Sequence, residues 1–182
     1  MIRTILKYGL IAGLVVGGFM FATFRAFGGE PPMQYGMLLG YAGMLVALSA
    51  VFVGIKRHRD LDRGGVIGFW PALGVGLGIS FIAGVIYVIA WEGVQELMDM
   101  DFATAYGNAM IEQARAEGAT AEAIAKMTAD MAAFRVQYAD PLFRLPMTFA
   151  EIFPVGVLVS LVSAALLRNP RFLPARLVQK AT

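Results

Sequence analysis

Four long apolar runs constrain this chain more than any other feature: residues 8–27, 36–55, 66–91 and 145–167. A helix needs roughly 20 mostly apolar residues to cross the hydrocarbon core of a bilayer. Inside lipid each backbone N–H and C=O must find its partner within the segment, so each run is read as a transmembrane helix. Composition agrees: of 182 residues, 58% are hydrophobic and only 15% charged, whereas a soluble domain carries about a quarter charged residues. The third run is longer than a span requires and contains Pro71, which predicts a tilt or kink there. Arg3 and Lys7 precede the first run as they would a signal peptide. Its length, however, exceeds the roughly 7–15 residues of a signal core and no A-x-A-like site follows, so it is read as a retained anchor.

Lysine and arginine in the short flanks set the orientation. Arg3 and Lys7 lie before the first run, Lys56, Arg57, Arg59 and Arg63 between the second and third, and Arg168, Arg171, Arg176 and Lys180 after the fourth. Four spans bring all three groups to one side, the cytoplasm, with both termini inside. The four cations between spans two and three are read as topogenic and as contacts for lipid headgroups, and His58 beside them as a hydrated loop side chain. The opposite side receives the short turn GGEPPMQ with Glu30, and a long acidic insert, residues 92–144.

The insert reads as two helices. Asp101 is a plausible N-cap for a helix carrying Phe102, Tyr106 and Met110 on one face, and Gly118 ends it. Thr120 caps the second, whose Ile124, Met127, Met131, Phe134 and Tyr138 follow a 3-4 spacing, and Pro141 is expected to close it. This predicts a periplasmic hairpin whose apolar faces meet each other or rest on the membrane. Adaptable methionines on that face also suit a partner surface.

Ionisable groups at membrane depth mark interior contacts or functional sites. Arg25 ends the first span, Glu92 follows the third, and Glu151 lies about 6–9 Å below the outer end of the fourth at 1.5 Å per residue. At that similar depth they form a candidate charge cluster in which Arg25 pairs with Glu151, either as a clamp or as a proton or cation site. Pro154 and Gly156 are read as an interruption of the fourth helix, and Pro71 as one of the third. Glu92, Glu96, Asp99 and Asp101 match no ordered cation-binding loop and are read as a solvated face.

Glycines recur every fourth residue: Gly9, Gly13 and Gly17 on the first span, Gly36 and Gly40 on the second, Gly74 and Gly78 on the third. Such faces let helix backbones approach closely, within one bundle or across a homodimer. GVGLG, residues 74–78, lies mid-span, follows no strand and lacks the spacing of a dinucleotide fingerprint.

The chain has no cysteine and a single histidine, which excludes disulfides, thiolate nucleophiles and multi-histidine metal centres. No serine lies in a nucleophile elbow. No cofactor is expected, and a net charge of +2 does not suggest a nucleic-acid partner. The chain reads as an all-α, four-helix membrane protein without enzymatic activity. As an accessory or scaffold subunit it would use its glycine faces and hairpin, within a larger complex or a homodimer. The alternative is a small transporter or ion-conducting protein built on Arg25 and Glu151.

LKYGLIAGL in the first span, GYAGMLVALSAVFVGIKRHRD across the second, GGVIGFWPALGVGLGISFIAGVIYVIAWE across the third and FAEIFPVGVLVSLVSAALLR in the fourth resemble a bacterial membrane-protein family, domain of unknown function 4199. The resemblance implies a four-span inner-membrane protein with a helical insert before the last span. Its hallmarks fall on Glu151–Gly156 and on Gly54–Lys56 with Arg59–Asp60. It implies no activity.

Overall fold

Apolar sequence with internally satisfied backbone yields helix throughout. The computed structural model describes residues 1–28 and 33–175; Glu30, Arg176 and Lys180 lie outside them. Six α-helices follow in order: α1 Ile2–Ala26, α2 Met33–Arg57, α3 Phe69–Leu97, α4 Phe102–Ala116, α5 Ala121–Tyr138 and α6 Pro141–Leu167, with a π-helical turn at His58–Asp62. Among the described residues four segments are long and apolar enough to cross a membrane: Ile2–Ala26, Tyr35–Asp62, Phe69–Leu97 and Pro141–Leu167. The chain is thus a multi-pass membrane protein by the length and composition of its helices. Each span is longer than its apolar run, because the helices continue into more polar sequence at one or both ends. Glu92 and Arg144 are therefore helical residues at the rims of α3 and α6.

The prolines act differently from expectation. Pro71 sits in the first turn of α3, where its missing N–H would have no intrahelical partner anyway, so it does not interrupt the span. Pro141 does not close α5; it opens α6 behind the Asp140 cap, whose carboxylate accepts from the Leu142 amide at 2.9 Å. Pro154 and Gly156 do not break α6, which runs unbroken from Pro141 to Leu167.

Helix order follows from close contacts at glycine. A Cβ added at Gly9 would stand 2.6 Å from the Ile82 Cβ, one at Gly13 2.6 Å from the Ile86 Cβ, and one at Gly17 2.8 Å from the Ala90 Cβ. The constant offset makes α1 and α3 parallel neighbours, with Gly78 against Ile5 extending the same seam. Gly76 lies against Ser160, Gly156 against Ser80 and Gly84 against the Phe149 ring, so α3 and α6 run antiparallel. Gly43 against Phe19 and Gly54 against Tyr8 do the same for α1 and α2. α1 and α6 each pack on both α2 and α3, which therefore stand between them. The fully buried core comes from all four spans, including Ala12, Val51, Ile55, Val75, Ile79 and Ile152. Gly40 and Gly74 were expected in such seams but are exposed, with nothing near an added Cβ. Gly36 is half-buried in α2.

α4 and α5 pair antiparallel. Asp101 and Thr120 both cap, accepting from the Thr104 and Ala123 amides. On α5 the inward stripe is the expected Ile124, Met127, Met131, Phe134 and Tyr138. On α4 the buried positions are the small Ala103, Gly107 and Ala114, with Tyr106 left more exposed. Gly107 lets the Met131 side chain approach its backbone, so α4 contributes closeness and α5 bulk.

Candidate functional site

The polar groups of the bundle gather along the α3–α6 seam and at its two ends. At mid-seam, Ser80 and Ser160 are buried. Both hydroxyls donate to the Gly156 carbonyl, at 3.1 and 2.7 Å, and lie 3.2 Å from each other. Missing side chains at Gly76 and Gly156 create room for these serines. Hydroxyls that bond to a backbone carbonyl avoid the desolvation cost of an unmade hydrogen bond in an apolar surround.

Further toward the α4–α5 end, the Tyr87 hydroxyl donates to the Glu151 carboxylate at 3.1 Å. This replaces the expected Arg25–Glu151 pair. Among the described residues Arg25 forms no ion pair, and it is exposed. Two physical reasons exclude the pair. α2 and α3 separate α1 from α6. The α1–α3 register also sets Arg25 level with Met98, about eleven residues or roughly 16 Å beyond Tyr87 along the axis. Arg25, Glu92 and Glu151 thus lie at different depths.

Glu92 instead meets Arg144 in a two-pronged ion pair, Nε to Oε1 at 2.7 Å and the second prong to Oε2 at 2.6 Å. Such fork geometry fixes orientation as well as charge. The same guanidinium donates to the Tyr138 carbonyl at 3.2 Å and lies 5.7 Å from the centre of the Tyr138 ring. Trp91 Nε1 donates to the Tyr138 hydroxyl at 2.7 Å. Around this bond the rings of Phe24, Trp91, Phe102, Tyr106, Phe134 and Tyr138 form a continuous aromatic cluster across α1, α3, α4 and α5, with centroids 5.0–6.2 Å apart. Burial pushes the Tyr138 hydroxyl above its usual pKa. At the outer edge Arg135 reaches Asp101 at 2.8 Å. Hydrogen bonds from Thr104, reinforced by Arg135, hold Asp101 below the usual carboxylate range. The acidic run is thus dispersed: Glu92 and Asp101 hold different arginines.

The opposite end holds the largest departure from expectation. Arg59, read as a topogenic, lipid-facing cation, is 0% exposed. Its Nε donates to Asp60 at 2.7 Å, and its terminal nitrogens donate to the carbonyls of Phe172 at 2.9 Å, Leu167 at 3.5 Å and Leu173. Leu167 is the last residue of α6, whose final carbonyls have no intrahelical donor; a buried guanidinium supplies one and favours the negative end of the helix. Lys56 bonds Asp60 from one turn before. His58 is also buried rather than hydrated; its Nδ1 lies 2.7 Å from Asp62, and its Nε2 has no partner among the described residues. Arg57 and Arg63 remain exposed as expected. The π-helical turn makes this possible: it turns His58 and Arg59 inward, where a loop would have left them in solvent.

Several of these residues escaped sequence reasoning: Tyr87, Trp91 and Arg144, the buried role of Arg59, and the serine pair. One signal was present. Glu92 and Arg144 each sit one residue outside the third and fourth apolar runs, on the same side, so topology alone would have paired them. For Arg59 the resemblance marked the Arg59–Asp60 pair but not its burial, because the carbonyls that receive its terminal nitrogens lie more than a hundred positions away.

A family model described as "Protein of unknown function (DUF4199)" matches residues 7–169. No curated protein and no solved structure matches the chain.

Proposed function

We propose that this chain, which belongs to the DUF4199 family, is a non-enzymatic accessory subunit of the bacterial inner membrane that holds a helical hairpin rigidly above the bilayer for a partner protein. The clamp at the hairpin's base carries the reading. The Trp91–Tyr138 hydrogen bond, the Glu92–Arg144 fork and the aromatic cluster tie α4 and α5 to the ends of α3 and α6. A segment with no task would not need a half-buried, doubly bonded arginine at its base, whereas a docking module gains affinity from being preorganised. The exposed positions Ala125, Ala129, Ala132 and Val136 recur along the outer side of α5 and suit the close approach of a partner helix. The charge asymmetry supports cytoplasmic termini and a periplasmic hairpin: Arg3, Lys7, Lys56, Arg57, Arg63, Arg168 and Arg171 flank one end of the bundle, and acidic residues predominate in the insert at the other.

The glycines of the α1–α3 and α3–α6 seams are occupied within the bundle, so partner binding is assigned to the hairpin rather than to glycine faces. The conducting alternative built on Arg25 and Glu151 loses its basis, since those residues neither pair nor share a depth.

Two experiments test the proposal. The native chain lacks cysteine, so Ala129→Cys and Asn169→Cys give single-thiol proteins. An impermeant maleimide applied to spheroplasts should label the first and spare the second. Affinity purification in a mild detergent should recover a stoichiometric partner that Ala129→Arg releases while the helical content stays unchanged. A homo-oligomer with no partner, driving Glu151-dependent proton flux in liposomes, would overturn the assignment.

A further inference from the structure

An open groove runs along the lipid-facing side of α1 and α2. Its larger part, about 310 Å³, is lined by Tyr8, Ile11, Val15, Ala47, Ala50 and Val53 among others. It continues past Val15 and Val46 into a smaller part, about 120 Å³, ending at Phe19, Ala42 and Gly43. Two residues of the lining carry hydroxyls, Tyr8 and Ser49, and Ser49 spends its own on the Val46 carbonyl at 2.6 Å. From Ile11 to Phe19 on α1 the lining is aliphatic or aromatic, and the Tyr8 phenol stands at the end nearest Lys7.

Its two ends differ. At Gly43 the Phe19 ring lies against the α2 backbone and closes the groove. At the other end the Gly54–Tyr8 contact sets Lys7 and Arg57 within about one turn of each other in depth. Both are exposed and neither forms an ion pair among the described residues, whereas the neighbouring Lys56 and Arg59 are engaged by Asp60. Helical spacing continues the α2 lining from Val46 through Ala50 and Val53 to Arg57. From Val53 to Ala42 the groove extends roughly 16 Å, about one leaflet of a hydrocarbon core some 30 Å thick. A transmembrane helix from a partner would need a groove through both leaflets. An acyl chain needs only this one, and a headgroup anion meets the two cations at its mouth.

The geometry points to a binding site for an anionic glycerophospholipid between α1 and α2, with one acyl chain along Tyr8–Phe19 and Ala42–Val53 and the phosphate held by Lys7 and Arg57. The site depends only on the bundle lying in a membrane and is independent of any partner at the hairpin. In native mass spectrometry of the purified full chain, dioleoyl phosphatidylglycerol should stay bound where dioleoyl phosphatidylcholine leaves. At about 1 kcal/mol per surface cation, Lys7→Gln and Arg57→Gln should each weaken phosphatidylglycerol retention roughly fivefold. Arg168→Gln, a cation outside the groove, should leave it unchanged. Ala50→Phe, which fills the groove and removes no charge, should reduce phosphatidylglycerol retention. Inorganic phosphate at millimolar concentration should not compete, since it lacks the chain. The proposal is overturned if the two lipids are retained equally, if Arg168→Gln acts like Lys7→Gln, if phosphate alone displaces the lipid, or if Ala50→Phe changes nothing.

Discussion

The same glycine-to-alanine substitution should act differently in the packed α1–α3 seam and at an exposed position of α2. Gly13→Ala places a Cβ 2.6 Å from the Ile86 Cβ, 2.7 Å from its Cδ1 and 2.8 Å from its Cγ2. Ile86 is branched at that very carbon and cannot rotate it away, so the helices must separate by close to 1 Å to restore ordinary contact. Over-packing of this kind costs about 1–3 kcal/mol, and separation also weakens dispersion contacts along Gly9 and Gly17. Alanine's better helix propensity offsets at most about 1 kcal/mol. Gly40→Ala meets nothing within 4 Å and retains only the gain. We expect Gly13→Ala to be destabilised by about 1–2 kcal/mol and Gly40→Ala to be neutral or slightly stabilised. Reversible unfolding in mixed micelles, followed by circular dichroism, measures both. Equal stability of the two variants would refute the close α1–α3 approach and the register built on it.

Arg59→Ala should cost about 3–5 kcal/mol, because Asp60 and the carbonyls of Leu167, Phe172 and Leu173 lose a buried charged donor. Arg59→Lys should recover little of that, since an ammonium cannot reach a carboxylate and three carbonyls in a planar fork; full recovery would show that only charge matters there. Tyr87→Phe should destabilise the protein by about 1–3 kcal/mol through the lost hydrogen bond to the carboxylate, yet have almost no effect in a Glu151→Leu background. Additive losses in that double-mutant cycle would dismiss the Tyr87–Glu151 contact. Because folding lowers the pKa of Asp101, its capping contribution is complete above its unfolded pKa, about 3.9, and fades as pH falls through the folded value. The first-turn amides of α4 should therefore lose hydrogen-exchange protection as pH falls below about 4. Asp101→Asn, with no titrating group, should show no such loss, and identical acid profiles for the two proteins would reject the linkage.

The hallmark segment FAEIFPVGVLVSLVSAALLR shows where legibility ended. Its length and apolarity predicted a span, and α6 is one. The same spacing suggested an interruption at Pro154–Gly156, whereas α6 continues and Gly156 is the crossing point with Ser80. For Glu151 the sequence indicated a charged partner, Arg25, whereas the side chain that reaches it is the Tyr87 hydroxyl.

Local chemistry determined how many segments are long and apolar enough to cross and where α4 and α5 begin. Lipid offers the backbone no hydrogen bonds, so an apolar run of sufficient length has no alternative to helix, and caps such as Asp101 and Thr120 act within four residues. Tertiary structure alone decided which glycines meet a neighbour, that Glu92 pairs with Arg144, and that Arg59 is buried against α6. Those outcomes depend on lateral order and axial register between helices. Both are set by side-chain fit between segments distant in sequence, and one turn of slip would leave every local pattern unchanged while exchanging every partner.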